Sequence, residues 1–297
     1  MTTKRPATFA IISAGLAVLS AGPAAAQVVG YDPFNQTAPF QLNGTASSGG
    51  GAVWPNGSTN TWTTAFGSNG GTVVSGSLAY GPLQTGGNSA QFTWFSPQNG
   101  SLRSLVSNRG GGPSDLWISF LLAGSAAGNQ GLSLYFGGSF GSENLWLGTP
   151  GGNTYGFRVG PAAAADGTTH TVSTGVVAGG STHFVSAHLV LSGPTAADNS
   201  VTMYVDPDFS SLGTGSAPTG GSSGSFSGLN SFPFEQVTLE NRSGVAADTV
   251  RFDEIRIAST WAAVSPVPEP STLLLVGSGL VAAVRFGRFR RRSSASG

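Results

Sequence analysis

Four glutamates, three histidines and one aspartate cluster are the groups of this chain whose types and spacing could do chemistry. Glu143, Glu235, Glu240 and Glu254 are the glutamates ahead of the C-terminal segment. They are far apart in sequence, so an acid/base pair among them has to be assembled from separate strands. Asp253 and Glu254 are adjacent, and neighbours on a regular strand leave opposite faces. They share a face only across a bulge, so Asp253 is expected to bond backbone at a turn while Glu254 stands in solvent. His183 and His188 have an odd separation, which puts them on opposite sides of one strand. His170 belongs to another, so histidine ligation of a metal is not expected. Asp206-Pro207-Asp208, with Asp198 and Asn199 on the same hairpin, could offer oxygens to calcium, though no Asp-x-Asp-x-Asp-Gly loop is present. The alternative is a hairpin-end turn fixed by Pro207. No other cofactor is expected, and no catalytic residue is assigned.

Gly-x-Ser-x-Gly occurs twice, from Gly137 to Gly141 and from Gly220 to Gly224. A hydrolase nucleophile needs that motif on a strand-to-helix turn; neither copy has the context, and both read as turns. Trp54, Trp62, Trp94, Trp117, Trp146 and Trp261 could stack on sugar rings where exposed. Trp117 sits mid-strand among apolar residues and reads as core. Trp54, beside Pro55 in a glycine-rich stretch, is the best candidate for an exposed ring. The chain has no cysteine, which excludes thiolate metal sites, dithiol redox chemistry and a cysteine nucleophile. The fold must therefore be held by burial and hydrogen bonding.

The elements that must position these residues are strands. Glycine accounts for 46 of the 297 residues, but 18 Phe and 6 Trp are too many for wholesale disorder. Short alternating β-rich segments at 72–80, 90–95, 116–122, 132–136, 144–147, 155–159, 170–177, 183–191, 201–205, 236–240 and 249–258 are separated by Gly-Gly, Asp-Gly and Gly-Pro turns. Segments 44–61, 96–113 and 210–227 read as loops. No sustained helical period is present, so the expectation is an all-β antiparallel sandwich, close to helix-free. From Asp32 to Glu269, thirteen carboxylates face six arginines and no lysine, leaving that stretch near −7. Such an acidic surface without clustered cations argues against a nucleic-acid partner.

Both ends carry export signals. Lys4 and Arg5, an apolar stretch from Phe9 to Leu19, and Ala24-Ala25-Ala26 fit a secretory signal peptide over 1–26, cleaved between Ala26 and Gln27. At the other end Val267-Pro268-Glu269-Pro270 precedes an apolar run that includes Leu273, Leu274, Leu275 and Val284. Arg285, Arg288, Arg290, Arg291 and Arg292 follow. Residues 271–284 would make a helix of about 21 Å, short of the roughly 30 Å hydrocarbon core. Phe286 and Phe289 extend the span to 271–289 if the arginines snorkel. The basic end at 285–292 places the C-terminus in the cytoplasm. One reading is an ordinary single-span anchor. The other follows from the motif: an acidic proline motif, a brief apolar span and an arginine-rich end resemble the PEP-CTERM sorting tail of Gram-negative bacteria. That resemblance implies an exosortase-type membrane protease-transpeptidase as partner and retention at the inner membrane. Processing to the cell surface or extracellular matrix would follow, in the setting of exopolysaccharide and biofilm.

The expected organisation is thus signal peptide 1–26, ectodomain 27–264 and sorting tail 265–297 with its motif at 267–270. The strands with Leu116-Trp117-Ile118-Ser119-Phe120, His183 through Val190, Val201 through Pro207, and Phe252-Asp253-Glu254-Ile255-Arg256-Ile257 before Trp261 resemble the concanavalin A-like lectin/glucanase (laminin-G-like) jelly roll. The match runs over about 110–264, with the N-terminal part as additional strands. The family's Glu-x-Asp-x-x-Glu catalytic strand is missing. The function this implies is a non-catalytic structural or adhesive surface protein, with a carbohydrate-binding lectin, calcium-assisted through Asp206 and Asp208, as the alternative. A glycan hydrolase or lyase ranks third.

Overall fold

The computed structural model describes residues 28–42, 45–46, 61–66, 70–94, 99–109, 115–135, 143–191, 198–230 and 234–267. The signal segment, Trp54, the Gly137 to Gly141 motif and everything from Pro268 onward lie outside the described residues.

In chain order the strands are β1 (Val28–Asp32), β2 (Phe40–Gln41), β3 (Thr45–Ala46), β4 (Thr61–Phe66), β5 (Thr72–Val74) and β6 (Ser89–Thr93). Next come β7 (Asn99–Arg109), β8 (Asp115–Ala123), β9 (Gln130–Tyr135), β10 (Glu143–Gly148), β11 (Thr154–Val159) and β12 (His170–Val177). The chain closes with β13 (Thr182–Val190), β14 (Ser200–Val205), β15 (Ser222–Ser227), β16 (Phe234–Asn241) and β17 (Thr249–Ala258), then a one-turn helix α1 (Trp261–Val264). All pairings are antiparallel. One sheet runs β15-β14-β13-β8-β17-β6-β5-β2, with β1 also on β17; the other runs β12-β11-β10-β9-β16-β7-β4-β3. The chain is an all-β sandwich of two antiparallel sheets.

Side-chain alternation fixes which face is inside. On β8, Leu116, Ile118, Phe120 and Leu122 enter the inter-sheet core, against Leu132, Leu134, Leu145, Leu147, Phe157, Val237 and Leu239 of the other sheet. Each such side chain contributes roughly 1.5–3 kcal/mol by leaving water. Trp117 and Leu121, of the opposite parity, build a second cluster on the outer face with Leu78, Leu83, Phe184, Leu212, Ala258, Trp261 and Val264. Trp117 is therefore buried, as its apolar neighbours suggested, but outside the sandwich.

Several expectations are corrected. Segment 96–113 contains β7, bonded on both sides by β16 and β4; its ladder partners hold a polar sequence extended. Segment 210–227 contains β15, an edge strand of Ser and Gly paired to β14. The Gly220 motif turns at Gly220 and Gly221, both at positive φ, and then runs into β15. Conversely, the strand expected over 72–80 stops at Val74, because the following loop is bound by β17. Asp253 accepts hydrogen bonds from Ser77 Oγ (2.6 Å) and from the amides of Leu78 and Glu254 (both 2.8 Å).

Glu254 is not in solvent. The ladder between β17 and β8 shifts register between Asp253 and Arg256, Glu254 takes φ +53°, and its carboxylate is fully buried on Arg256 (2.5 Å) and the Gly86 amide (2.7 Å). A left-handed non-glycine residue inside a strand is held only by what surrounds it. Glu254→Gly relieves that backbone cost and deletes the ion pair, leaving Arg256 buried without its carboxylate. A loss of about 3–5 kcal/mol is expected, read by urea unfolding of residues 27–267. A neutral or stabilising result would mean that Arg256 needs no counter-charge.

Candidate functional site

A cluster of ionisable side chains from four strands lies on the outer face of the eight-stranded sheet. Core residues Leu132, Leu134, Leu145, Leu147, Phe157, Val237 and Leu239 set the inward parity, so Tyr135 (β9), Trp146 (β10), Arg158 (β11), Thr238 and Glu240 (β16) point away from the core. Glu143 would fall inward by counting from Leu145. The register shift between them turns it outward instead.

Glu143 and Glu240 meet there. The Tyr135 hydroxyl stands 3.3 Å from Glu143 Oε2 and 3.2 Å from Glu240 Oε1. Having one proton, it donates to one carboxylate at a time, while accepting from Arg242 Nη2 at 2.5 Å. Arg158 grips Glu143 through Nε (3.0 Å) and Nη2 (2.7 Å). Arg242 bonds Glu240 through Nε and reaches Glu143 Oε2 at 3.3 Å. Both guanidinium carbons lie over the Trp146 ring, at 5.4 Å for Arg158 and 4.8 Å for Arg242, a cation–π arrangement that favours the charge they carry. Gly131 makes room for this indole, since a Cβ there would stand 2.8 Å from Trp146 Nε1.

Burial dominates the electrostatics. Glu240 is wholly inside and its carboxyl is pushed up to about 7, first by desolvation, against the pull of Arg242. The Tyr135 phenol is raised for the same reason, reinforced by Glu240. Trp146 Nε1 and Thr238 Oγ1 are among the buried polar atoms of this face that have no hydrogen-bond partner among the described residues. Apart from the two glutamates and Trp146, nothing in the sequence pointed to this group. The pairing of β9, β10, β11 and β16 brings the residues together, and Arg158 and Arg242 carry no local motif.

The other candidates are dispersed. Asp206, at φ +52°, holds His183 Nδ1 (2.6 Å) and the Phe184 amide (2.9 Å) with its carboxylate. Asp208 is exposed beside Gly220. Asp198 and Asn199 precede β14 and Asp206 follows it, so about 20 Å of strand separates them; Asn199 Nδ2 is spent on Leu229 O (3.2 Å). His188 faces the other way from His183, stacked on Trp117 at 4.1 Å and 5°, with its pKa lowered by burial. His170 pairs with Asp166. Among the described residues no group of three or more His, Asp or Glu side chains could hold a metal ion.

The sorting tail departs from the opposite face. After β17, Trp261 is buried and its indole donates to Ser211 O (2.6 Å). Ser119 Oγ donates to Val264 O (2.6 Å), and Ser265 Oγ accepts from the Gly213 amide (3.1 Å). Gln84 N donates to Pro266 O (2.8 Å), and Val267 packs on the outer apolar cluster. A family model described as the PEP-CTERM protein-sorting motif matches residues 266–292. The chain carries a PEP-CTERM sorting motif. Such a motif implies an exported, cell-envelope-associated protein processed by exosortase. Among the described residues no helix is long and apolar enough to cross a membrane.

No curated protein matches the sequence. Among solved structures, the T. cruzi calreticulin globular domain is similar at 13% identity, over 78% of this chain and 88% of that one, with a TM-score of 0.46. The botulinum neurotoxin serotype D binding domain is similar at 10% identity, over 79% of this chain, with a TM-score of 0.43. The chain spans 49% of that neurotoxin domain. At these scores neither neighbour's ligands transfer to this protein.

The pKa of Glu240 carries a testable sign. Its folded value, about 7, lies above its ordinary value of 4.5, so the folded state binds the extra proton. The associated stability is full below about pH 4.5 and is lost as pH rises through 7. Asp253, raised to about 7 mainly by burial, acts in the same direction. The urea midpoint should fall between pH 4.5 and 7, and Glu240→Gln, which stays neutral, should fall less steeply. An equal slope in both would show that Glu240 does not titrate in this range.

Proposed function

We propose that this protein is an exported, non-catalytic surface or matrix protein, structural or adhesive, delivered by its PEP-CTERM tail. In this reading its sandwich is a concanavalin A-like jelly roll. The carrying observation is the placement of Pro266 and Val267. The last strand, one helical turn and the docked residues Ser265, Pro266 and Val267 bring the chain to the domain surface, and the sorting motif begins at once. The jelly-roll assignment is supported by strand order: β8 lies between β13 and β17, and β16 between β7 and β9, so the chain crosses repeatedly between sheets. The non-catalytic assignment is supported by the state of Glu143 and Glu240. Both are bound to arginine, and Glu240 is sealed from solvent, which is the arrangement of a structural ion-pair network.

A second reading, a glycan-binding module of the exopolysaccharide matrix, is favoured by Trp146 Nε1 and Thr238 Oγ1. A sugar hydroxyl entering this face would satisfy buried groups that otherwise cost about 1–3 kcal/mol each. In that reading the lectin site lies on the eight-stranded sheet, away from Asp206 and Asp208. Trp54 keeps its place as an aromatic candidate from sequence.

The sorting reading is tested by expressing the full chain in a Gram-negative host that carries an exosortase. Wild type should lose its tail and reach the envelope or medium. The triple variant Pro268→Ala, Glu269→Ala, Pro270→Ala should accumulate as uncleaved precursor, and equal processing of the two would overturn the reading. Incubating residues 27–267 with the host exopolysaccharide, with calcium and with EDTA, separates the rest. Saturable binding lost in Trp146→Phe supports the lectin, and release of sugar products would restore the hydrolase.

A further inference from the structure

The tail leaves the domain through a collar of two loops, and that collar carries an exposed aromatic. One loop runs from Tyr80 to Gln84, whose amide holds Pro266 O. The other runs from Asp208 to Gly213. Its first part is a single 3-10 turn, Phe209–Ser211; Ser211 O accepts from Trp261 of α1, and Gly213 N donates to Ser265 of the tail. Gly213 has φ +68°, and a Cβ there would stand 2.8 Å from Val267 Cγ2, so the exit closes tightly on the departing chain. The two loops are joined by Phe209 and Tyr80, whose rings meet edge-on at 5.1 Å. Gly81 leaves space for Phe209, since a Cβ at Gly81 would lie 2.4 Å from its ring. Tyr80 is anchored in turn by stacking on Phe184 at 5.6 Å and by donating to Pro207 O at 2.8 Å.

Phe209 is nonetheless 54% exposed. A phenyl ring positioned by two loops yet left half in water asks for an occupant, and the sequence of the tail says which. Five residues, Pro268 to Thr272, separate the last docked residue from Leu273. Fully extended, the six steps from Val267 to Leu273 span at most about 20–22 Å. The headgroup layer on each side of a bilayer is itself about 5–8 Å thick. With Leu273 at the hydrocarbon boundary, so short a tether keeps the collar within reach of the headgroups, where aromatic rings are favoured.

We propose that the collar is a membrane-contact surface. Phe209 enters the headgroup region of the bilayer while the tail is attached, and fixes the height at which Pro268, Glu269 and Pro270 are offered for processing. This rests on the reading of the tail as inserted in the bilayer. The exposed carboxylate of Asp208, next to Phe209, makes the contact one for zwitterionic lipid.

The absence of cysteine from the chain gives a clean test. Single variants Ser210→Cys, Val177→Cys, Val245→Cys and Leu275→Cys of the full chain are spin-labelled and reconstituted into phosphatidylcholine vesicles. Collision with a water-soluble nickel chelate is then compared with collision with oxygen. The label at 210 should be several-fold less accessible to nickel than those at 177 and 245, and adding Phe209→Ser should restore its access. If 210 is as accessible as 177 and 245 while 275 is protected, the tail is inserted and the collar proposal falls. If 275 is itself accessible, the reading of the tail falls and takes this proposal with it. Protection of 210 only after exosortase is added would overturn lipid as the occupant in favour of the enzyme.

Discussion

The buried pair of Glu254 and Arg256 is the interaction on which the rest of the structure depends. It sits where β17 changes partners. The Thr249 to Phe252 half of this strand pairs with β6, and the Ile255 to Ala258 half pairs with β1, while β8 runs along the other edge. The bulge between them lets Glu254 and Arg256 meet over the loop of residues 75–88. Arg256 Nη2 also donates to Gln84 O at 2.7 Å, and the amide of that same Gln84 holds Pro266. Its guanidinium lies 4.9 Å over the Tyr31 ring of β1. One ion pair thus ties the first strand, the last strand, the long loop and the tail exit.

Such a pair organises more than it stabilises. Removing two charges from water costs about as much as their attraction returns, and the pKa values of Asp253 and Glu254, both raised chiefly by desolvation, carry the sign of that cost. What the pair supplies is uniqueness. With no disulfide, the loop at 75–88 has to be located by hydrogen bonds. Asp253 and Glu254 provide acceptors for Ser77, Leu78 and Gly86, which no apolar pair could replace. Asp32 does the same where β1 ends, accepting from the Phe34 amide (3.0 Å) and the Trp62 indole (2.8 Å). The buried carboxylates of this protein are mostly loop fasteners.

The strands legible in the sequence are those whose alternation is chemical as well as geometric. Strands β12 and β17 alternate apolar residues with polar or small ones, β8 is a nearly continuous apolar run, and the limits of all three agree with the sequence reading to within a residue. Strands β7 and β15 were missed because Ser, Asn and Gly have no apolar period; pairing to neighbours keeps them extended, and pairing is non-local. The bulge in β17 did leave a trace. Val250 and Phe252 set one inward parity, Ile255 and Ile257 the other, and the phase breaks at Asp253-Glu254. Reading that break would have placed Glu254 inside. Glu143 and Glu240 left no such trace of each other, since only the register of β10, β9 and β16 makes them neighbours. The sorting tail was legible because its recognition is a linear motif rather than a surface.

The two outer faces of the sandwich then divide the work. On the eight-stranded sheet, charge is turned inward on itself, with two arginines neutralising two glutamates around one indole. On the nine-stranded sheet, apolar side chains are covered by the loops at 75–88 and 206–213 and by the last turn of the chain. That last turn can dock only after β8, β17 and both loops are in place, because Ser119, Gln84, Ser211 and Gly213 supply its partners. In an unfolded chain the sorting motif sits on a long flexible tether, with no defined distance from the domain. Closure of the collar shortens that tether to the residues after Val267. The geometry at which the motif is presented is therefore a consequence of folding, coupled through Gln84 to the buried pair that sets the end of β17.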